Sequence, residues 1–168
     1  MNAARYRTSA RTEINRLKRS LEDLYLRCDD LDSGSEISGD MNRYMCVRVS
    51  GFLEQSLLAA ARSLCEARSS REGLRFSLSW LERAPNPRSD EILKLVNKFD
   101  VEWSRQLKEL LSEDERQTRV NSLLGIRNDI AHGKNQGVSK TQVWEYYQLA
   151  VEIVEWVLDR FEPLPGKQ

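Results

Sequence analysis

The chain contains a single histidine among its 168 residues and three cysteines. One imidazole and the widely separated Cys28, Cys46 and Cys65 form no zinc pattern, so the sequence offers no metal site and no cofactor motif. The odd number of thiols fits reduced, buried cysteines in a cytoplasmic protein. No apolar run approaches the ~18 residues of a membrane span, which excludes an integral membrane protein. Residues Met1 to Arg19 are studded with arginine and lack the apolar centre of a secretory signal. The chain also lacks net charge, with 26 basic residues against 26 acidic ones. Binding to nucleic acid by bulk charge is thereby excluded, while a local basic site is not. No internal repeat, low-complexity tract or strand candidate is present. Val47-Arg48-Val49 alternates, but it lies inside a longer helical period.

What remains is 40% hydrophobic and 31% charged, the composition of a single globular domain. The 19 arginines outnumber the 7 lysines, and arginine is the better fork for phosphates and buried acids. Apolar spacing is helical almost throughout. Ile14, Leu17, Leu21, Leu24 and Cys28 form one stripe, closed by a polar loop from Leu31 to Gly39. A second helix is expected from an N-cap at Asp40, with the stripe Met45, Val49, Phe52, Ser56, Leu57, Ala60 and Leu64, fading near Arg68. Ala59, Ala60 and Ala61 would let another helix approach closely. Leu74, Leu78 and Leu81 mark a short helix broken by Pro85 and Pro87. Ser89 is the expected cap of a segment from Ile92 to Phe99, whose spacing continues through Trp103, Leu107, Leu110 and Leu111.

Two capping boxes close the pattern, Ser112-Glu113-Asp114-Glu115 and Ser139-Lys140-Thr141-Gln142. The first opens a helix with Val120, Leu123, Leu124, Arg127, Ile130 and Ala131, ended by Gly133. The second opens a helix with Val143, Tyr147, Ala150, Val154, Val157 and Phe161. The expectation is an all-α, four-helix-type bundle with extra short helices between the second and the penultimate main helix. Residues 1–161 form one domain, with 1–40 an N-terminal helical extension and loop, and 162–168 a tail.

The informative stretch is Arg127-Asn128-Asp129-Ile130-Ala131-His132-Gly133. At 100° per residue, Arg127 falls in the apolar stripe of Val120, Leu123, Leu124 and Ala131. A charge there costs free energy unless it is paired or faces a cavity. Asn128 and His132, four apart, share one edge of the stripe at the helix end. A structural ion pair for Arg127 and a dipole contact for His132 fit the same residues.

Arg-Asn-x3-His at the end of the penultimate helix of a small α bundle resembles the HEPN superfamily, and most closely its stand-alone prokaryotic members of the RiboL-PSP kind. The likeness covers roughly residues 41–160. It implies a metal-independent ribonuclease acting as a homodimer, with two Arg-x4–6-His motifs facing each other across the interface, in toxin–antitoxin or anti-phage defence. It assigns Arg127, Asn128 and His132 to the catalytic motif and makes Glu54, on the second helix, a supporting candidate. Some relatives carry a tyrosine two residues after the histidine, where a partner enzyme modifies them. Lys134 stands there in this chain, so that silencing route is not supported.

The chemistry agrees. RNA cleaves itself when a base takes the 2′-OH proton and an acid protonates the leaving 5′-oxygen, with positive charge on the phosphorane. Histidine titrates near ~6.5, in the range that work needs. One histidine per chain means that an acid–base pair requires two chains. Arg48, Arg119 and Lys134 are candidate RNA contacts, with Arg43, Arg116 and Lys140 nearby; each fits a solvated face charge as well. Trp144, Tyr146, Tyr147 and Trp156 could stack bases, although helical spacing favours packing, above all for Tyr147. An antitoxin or defence-system protein is a further expected partner. The alternative is a non-catalytic HEPN-like module that binds RNA, a nucleotide or a protein in a defence complex, and a helical adaptor with no nucleic-acid role is the third reading.

Overall fold

The computed structural model describes residues 9–28, 31, 34–81 and 88–162. They form seven α-helices and no strand: α1 (Ala10–Arg27), α2 (Glu36–Arg68), α3 (Arg71–Leu81), α4 (Ser89–Asn97), α5 (Val101–Ser112), α6 (Arg116–Ala131) and α7 (Lys140–Phe161). The expected all-α bundle is present, with α1, α2, α6 and α7 as its main helices and α3 to α5 inserted between the second and the penultimate one. The Pro85–Pro87 break and the tail beyond Glu162 lie outside the described residues.

Long-range contacts give the topology. Arg11 reaches Asp159 at 3.0 Å, Lys18 reaches Glu155 at 3.2 Å, and the Tyr147 hydroxyl donates to Glu22 Oε1 at 2.6 Å. Helix α1 therefore runs antiparallel to α7. Arg48 donates to Ser20 Oγ at 3.2 Å, while Ser9, Ala10 and Glu13 share a cleft with Ala59, Arg62 and Glu66. So α1 is antiparallel to α2, and α2 runs parallel to α7. At the start of α6, Arg116 reaches Glu152 at 3.0 Å, and further along Ser122 lies beside Tyr146. Helix α6 is thus antiparallel to α7, and the motif ends up where α2 and α7 begin.

The apolar stripes meet in one core, with α2 packed most extensively on α7 and then on α1. Leu53, Leu57, Ile153 and Val154 are almost fully buried in the main helices, and each such side chain contributes about 1.5–3 kcal/mol. Ala59, Ala60 and Ala61 are buried as well, and Ala59 lines the cleft shared with Ser9 and Ala10 of α1. All three cysteines are free and buried. Burial pushes the Cys46 thiol up to about 12, because a thiolate is poorly solvated there. The aromatic residues serve this packing. Trp144 stacks between Tyr25 and Tyr147, at centroid distances of 4.5 and 5.0 Å, and the Arg160 guanidinium covers Trp156 at 3.5 Å.

Several boundaries differ from the sequence expectation. Helix α2 begins four residues before Asp40, because Ser35 is the cap; its side chain accepts from the Ser38 amide at 3.1 Å. Asp40 instead pairs with Arg43 within the helix. Ser89 is buried inside the first turn of α4 rather than capping it, and its amide donates to Asn121 Oδ1 of α6 at 3.1 Å. The stretch from Ser89 to Leu111 is two helices, since Asp100 starts a new one by accepting from the Trp103 amide at 2.9 Å. The box at Ser112 does not form. That hydroxyl donates to the Glu109 carbonyl at 2.7 Å, and a 3-10 turn at Glu113–Glu115 follows, with Asp114 and Glu115 at φ 48° and 58°. Ser139 does cap α7, accepting from the Gln142 amide at 3.1 Å. No bond from the Ser139 amide back to the Gln142 side chain forms among the described residues, and the Gln142 Nε2 donates to the Tyr146 hydroxyl at 3.0 Å.

Candidate active site

The last turn of α6 closes with two bonds. The Gly133 amide donates to the Ile130 carbonyl at 3.0 Å and the Lys134 amide to the Asp129 carbonyl at 2.9 Å. Gly133 sits at φ 74°. This is the Schellman arrangement, which needs a residue at ease in the left-handed region. It leaves His132 as the helix C-cap, exposed at the tip of the bundle.

Arg127 lies on the stripe of Val120, Leu123 and Leu124, which are 1%, 2% and 7% exposed. The side chain is half-buried and makes no hydrogen bond or ion pair among the described residues. The stripe then runs out. Ala131, expected on the buried face, is exposed, because the end of α6 overhangs the first turn of α7. Asn128 is exposed and linked to His132 through the main chain, the His132 amide donating to the Asn128 carbonyl at 3.1 Å. Arg127, Asn128 and His132 therefore share one helix end, with their polar groups unspent. Arg127 and His132 are five residues apart, about 140° around the helix, so they look out on different sides of it.

Glu54 is not brought to this group within one chain. Phe52 packs on Tyr147 at 6.2 Å and shares a cleft with Val151 and Val154, and Arg116 meets Glu152. Glu54 accordingly stands level with the start of α6, about 16 Å along the axis from Arg127 at 1.5 Å per residue.

The candidate RNA contacts separate into engaged and unengaged groups. Lys134 Nζ is held by Asp129 Oδ1 at 2.8 Å. Arg116 is tied to Glu152 and Glu113 and donates to the Leu110 carbonyl. Arg43 pairs with Asp40, and Lys140 Nζ lies over the Tyr25 ring at 4.7 Å. Arg48 keeps an unneutralised charge, donating to Tyr44 Oη at 2.8 Å and to Ser20, but on the α1 side of α2. Arg119, also half-buried, has a buried Nε with no partner among the described residues.

Asp129 is the residue that sequence reasoning missed. Its carboxylate accepts from Lys134 Nζ and, at 2.7 Å, from Gln136 Nε2. The Lys134 ammonium, aided by Gln136 and the neighbouring His132, holds its carboxyl below the usual range. The available signal was an acid just before a terminating glycine, with donors just after it. Among the described residues, no three His, Cys, Asp or Glu side chains gather as a metal site, and no helix is long and apolar enough to cross a membrane.

A family model described as RiboL-PSP-HEPN matches residues 12–161 and so takes in α1 as well as the motif. No curated protein and no solved structure matches the chain.

Proposed function

The chain belongs to the RiboL-PSP-HEPN family, and from that premise we propose that it is a metal-independent endoribonuclease working as a homodimer in toxin–antitoxin or anti-phage defence. The observation that carries the reading is Arg127, a half-buried guanidinium on an apolar stripe with no partner among the described residues, at the same helix end as an exposed histidine. An unpaired, partly buried charge is costly. Its retention makes sense if an anion completes it, and a phosphodiester offers the paired oxygens that a guanidinium fork takes.

In this mechanism one His132 takes the proton from a ribose 2′-OH. The 2′-oxygen attacks the adjacent phosphorus, and the bond to the 5′-oxygen breaks. The partner's His132 supplies the proton to that leaving oxygen. Arg127 holds the non-bridging oxygens as charge builds on them, and Asn128 adds a donor beside it. The products carry 2′,3′-cyclic phosphate and 5′-OH ends, and DNA, which lacks the nucleophile, resists. Because Arg127 and His132 look out on different sides of α6, apposed copies give a site that one copy does not. Glu54 has no part in this scheme.

The test is cleavage of end-labelled RNA in EDTA, wild type beside His132→Ala, with product ends identified and the oligomeric state measured alongside. Cyclic-phosphate ends from the wild type alone support the enzyme. A stable dimer whose interface excludes residues 127–132 overturns the mechanism. A second reading, a non-catalytic module docking on a protein, draws on the engagement of Lys134 and Arg43 by carboxylates, which leaves little free positive charge near the motif beyond Arg127. Absence of cleavage, with capture of a defence partner, would favour it.

A further inference from the structure

We propose that Asp129 is a positioning residue for His132, acting as a clamp that folds residues 133–136 back onto the last turn of α6 and so presents the imidazole in one orientation. The inference rests on the ribonuclease reading for its purpose, but its geometry stands independently. Four bonds converge on one residue or its neighbour. The Asp129 carbonyl accepts from the Lys134 amide at 2.9 Å, and the Gly133 amide donates to the adjacent Ile130 at 3.0 Å. The two Asp129 carboxylate oxygens accept separately from Lys134 and Gln136. His132 is the residue enclosed between these anchors.

The backbone bonds alone would end the helix, as they do at many glycine caps. The side-chain bonds add something different, because they cross the glycine. Gly133 is the most permissive position in the segment, with open space around it. A turn hinged on glycine next to an exposed histidine would let the imidazole wander. General acid–base catalysis loses rate steeply when the catalytic group is misplaced by about 1 Å. Tying Lys134 and Gln136 to one carboxylate removes that freedom. It also gives Lys134 a role unlike the RNA contact expected from its charge.

A second consequence is electrostatic. Asp129 interacts with His132, so its carboxylate is a fixed negative charge beside the working imidazole. Of the other charges at this end of the bundle, Arg43 pairs with Asp40 and Lys140 lies over Tyr25, while Arg127 is unpaired among the described residues.

The chain has one histidine, so its imidazole Hε1 gives one resonance that needs no assignment. The experiment follows that resonance between acid and neutral pH in wild type, Asp129→Asn and Lys134→Met. Amide exchange at Gly133 and Lys134 and steady-state cleavage of RNA are measured in the same samples. In wild type the imidazole signal should show an inflection below the usual carboxylate range, reporting Asp129, and Asp129→Asn should lose it. Asp129→Asn should also speed exchange at both amides and lower kcat by about tenfold with KM little changed. Asp129→Glu should recover part of the rate. An imidazole signal and turn amides that are the same in wild type and Asp129→Asn would overturn the clamp. Should wild-type protein cleave no RNA, the ribonuclease reading falls, while the resonance and the exchange still decide whether the clamp exists.

Discussion

Helix α6 carries two arginines on one stripe, Arg116 in its first turn and Arg127 near its last, eleven residues and about three turns apart. Each lies in line with the buried Val120, Leu123 and Leu124. Arg116 is bound on every side, to Glu113, Asp114 and Glu152 and to the Leu110 carbonyl. These bonds fasten the left-handed turn after α5 to α7. Arg127 has none among the described residues. One residue type on one face of one helix thus does architecture at the first end and is left open at the other. The difference separates a charge whose partners are internal from one with none among the described residues.

Substitution at the open end should give the largest effect. On the ribonuclease reading, Arg127→Ala and His132→Ala each lower RNA cleavage by roughly a thousandfold, measured as single-turnover rates in EDTA. Circular dichroism should show the fold intact. Arg127→Lys tests whether charge alone suffices. It should retain less than about a tenth of the wild-type rate, because an ammonium does not reproduce the planar fork. Full activity in that variant would remove the bidentate role.

Methionine sharpens the contrast in stability. Arg127→Met should hold or raise Tm while abolishing cleavage, since it replaces an unpaired, half-buried charge by an apolar chain on an apolar stripe. Arg116→Met should lower Tm by a few degrees and leave the cleavage rate alone, because it strands three carboxylates and frees a strained turn. Equal shifts in both variants would erase the distinction between the two ends.

The smallest effect is the pH response of the turn after Arg127. The folded-state carboxyl of Asp129 lies below its ordinary value, which is near ~3.9 in an unfolded chain. Its contribution is therefore complete above that value and is lost as the pH falls through the lower folded one. Protection of the Lys134 amide, its exchange rate taken relative to the intrinsic rate at each pH, should fall on acidification in wild type and stay flat in Asp129→Asn.

Much of this was legible in the sequence. Ile14, Leu21 and Leu24, the α2 stripe from Met45 to Leu64 and the α7 stripe from Val143 to Phe161 are all buried, since a wide apolar stripe has few other fates. Arg127 was legible for the converse reason, as a charge where the period called for a hydrophobe. Caps were harder. Ser35, Asp40, Ser89 and Ser112 are all good capping residues by type, and the competing contacts each one finds select among them. Ser89 turns to Asn121, and Ser112 folds back on its own helix. Glu54 was harder to place because sequence gives a residue's face but not its level along the bundle, which here follows from contacts such as Arg116 with Glu152. Asp129 was harder to read because its partners come from a loop whose path depends on Gly133.

The three cysteines offer something of practical use. Cys28 closes α1, Cys46 faces the middle of the bundle from α2, and Cys65 lies near the far end of that helix. Each is free and buried, so a thiol reagent reaches it only when that part of the bundle opens. Their labelling rates would time the opening of three places in a single sample, a stopwatch already built into the chain and needing no engineered probe.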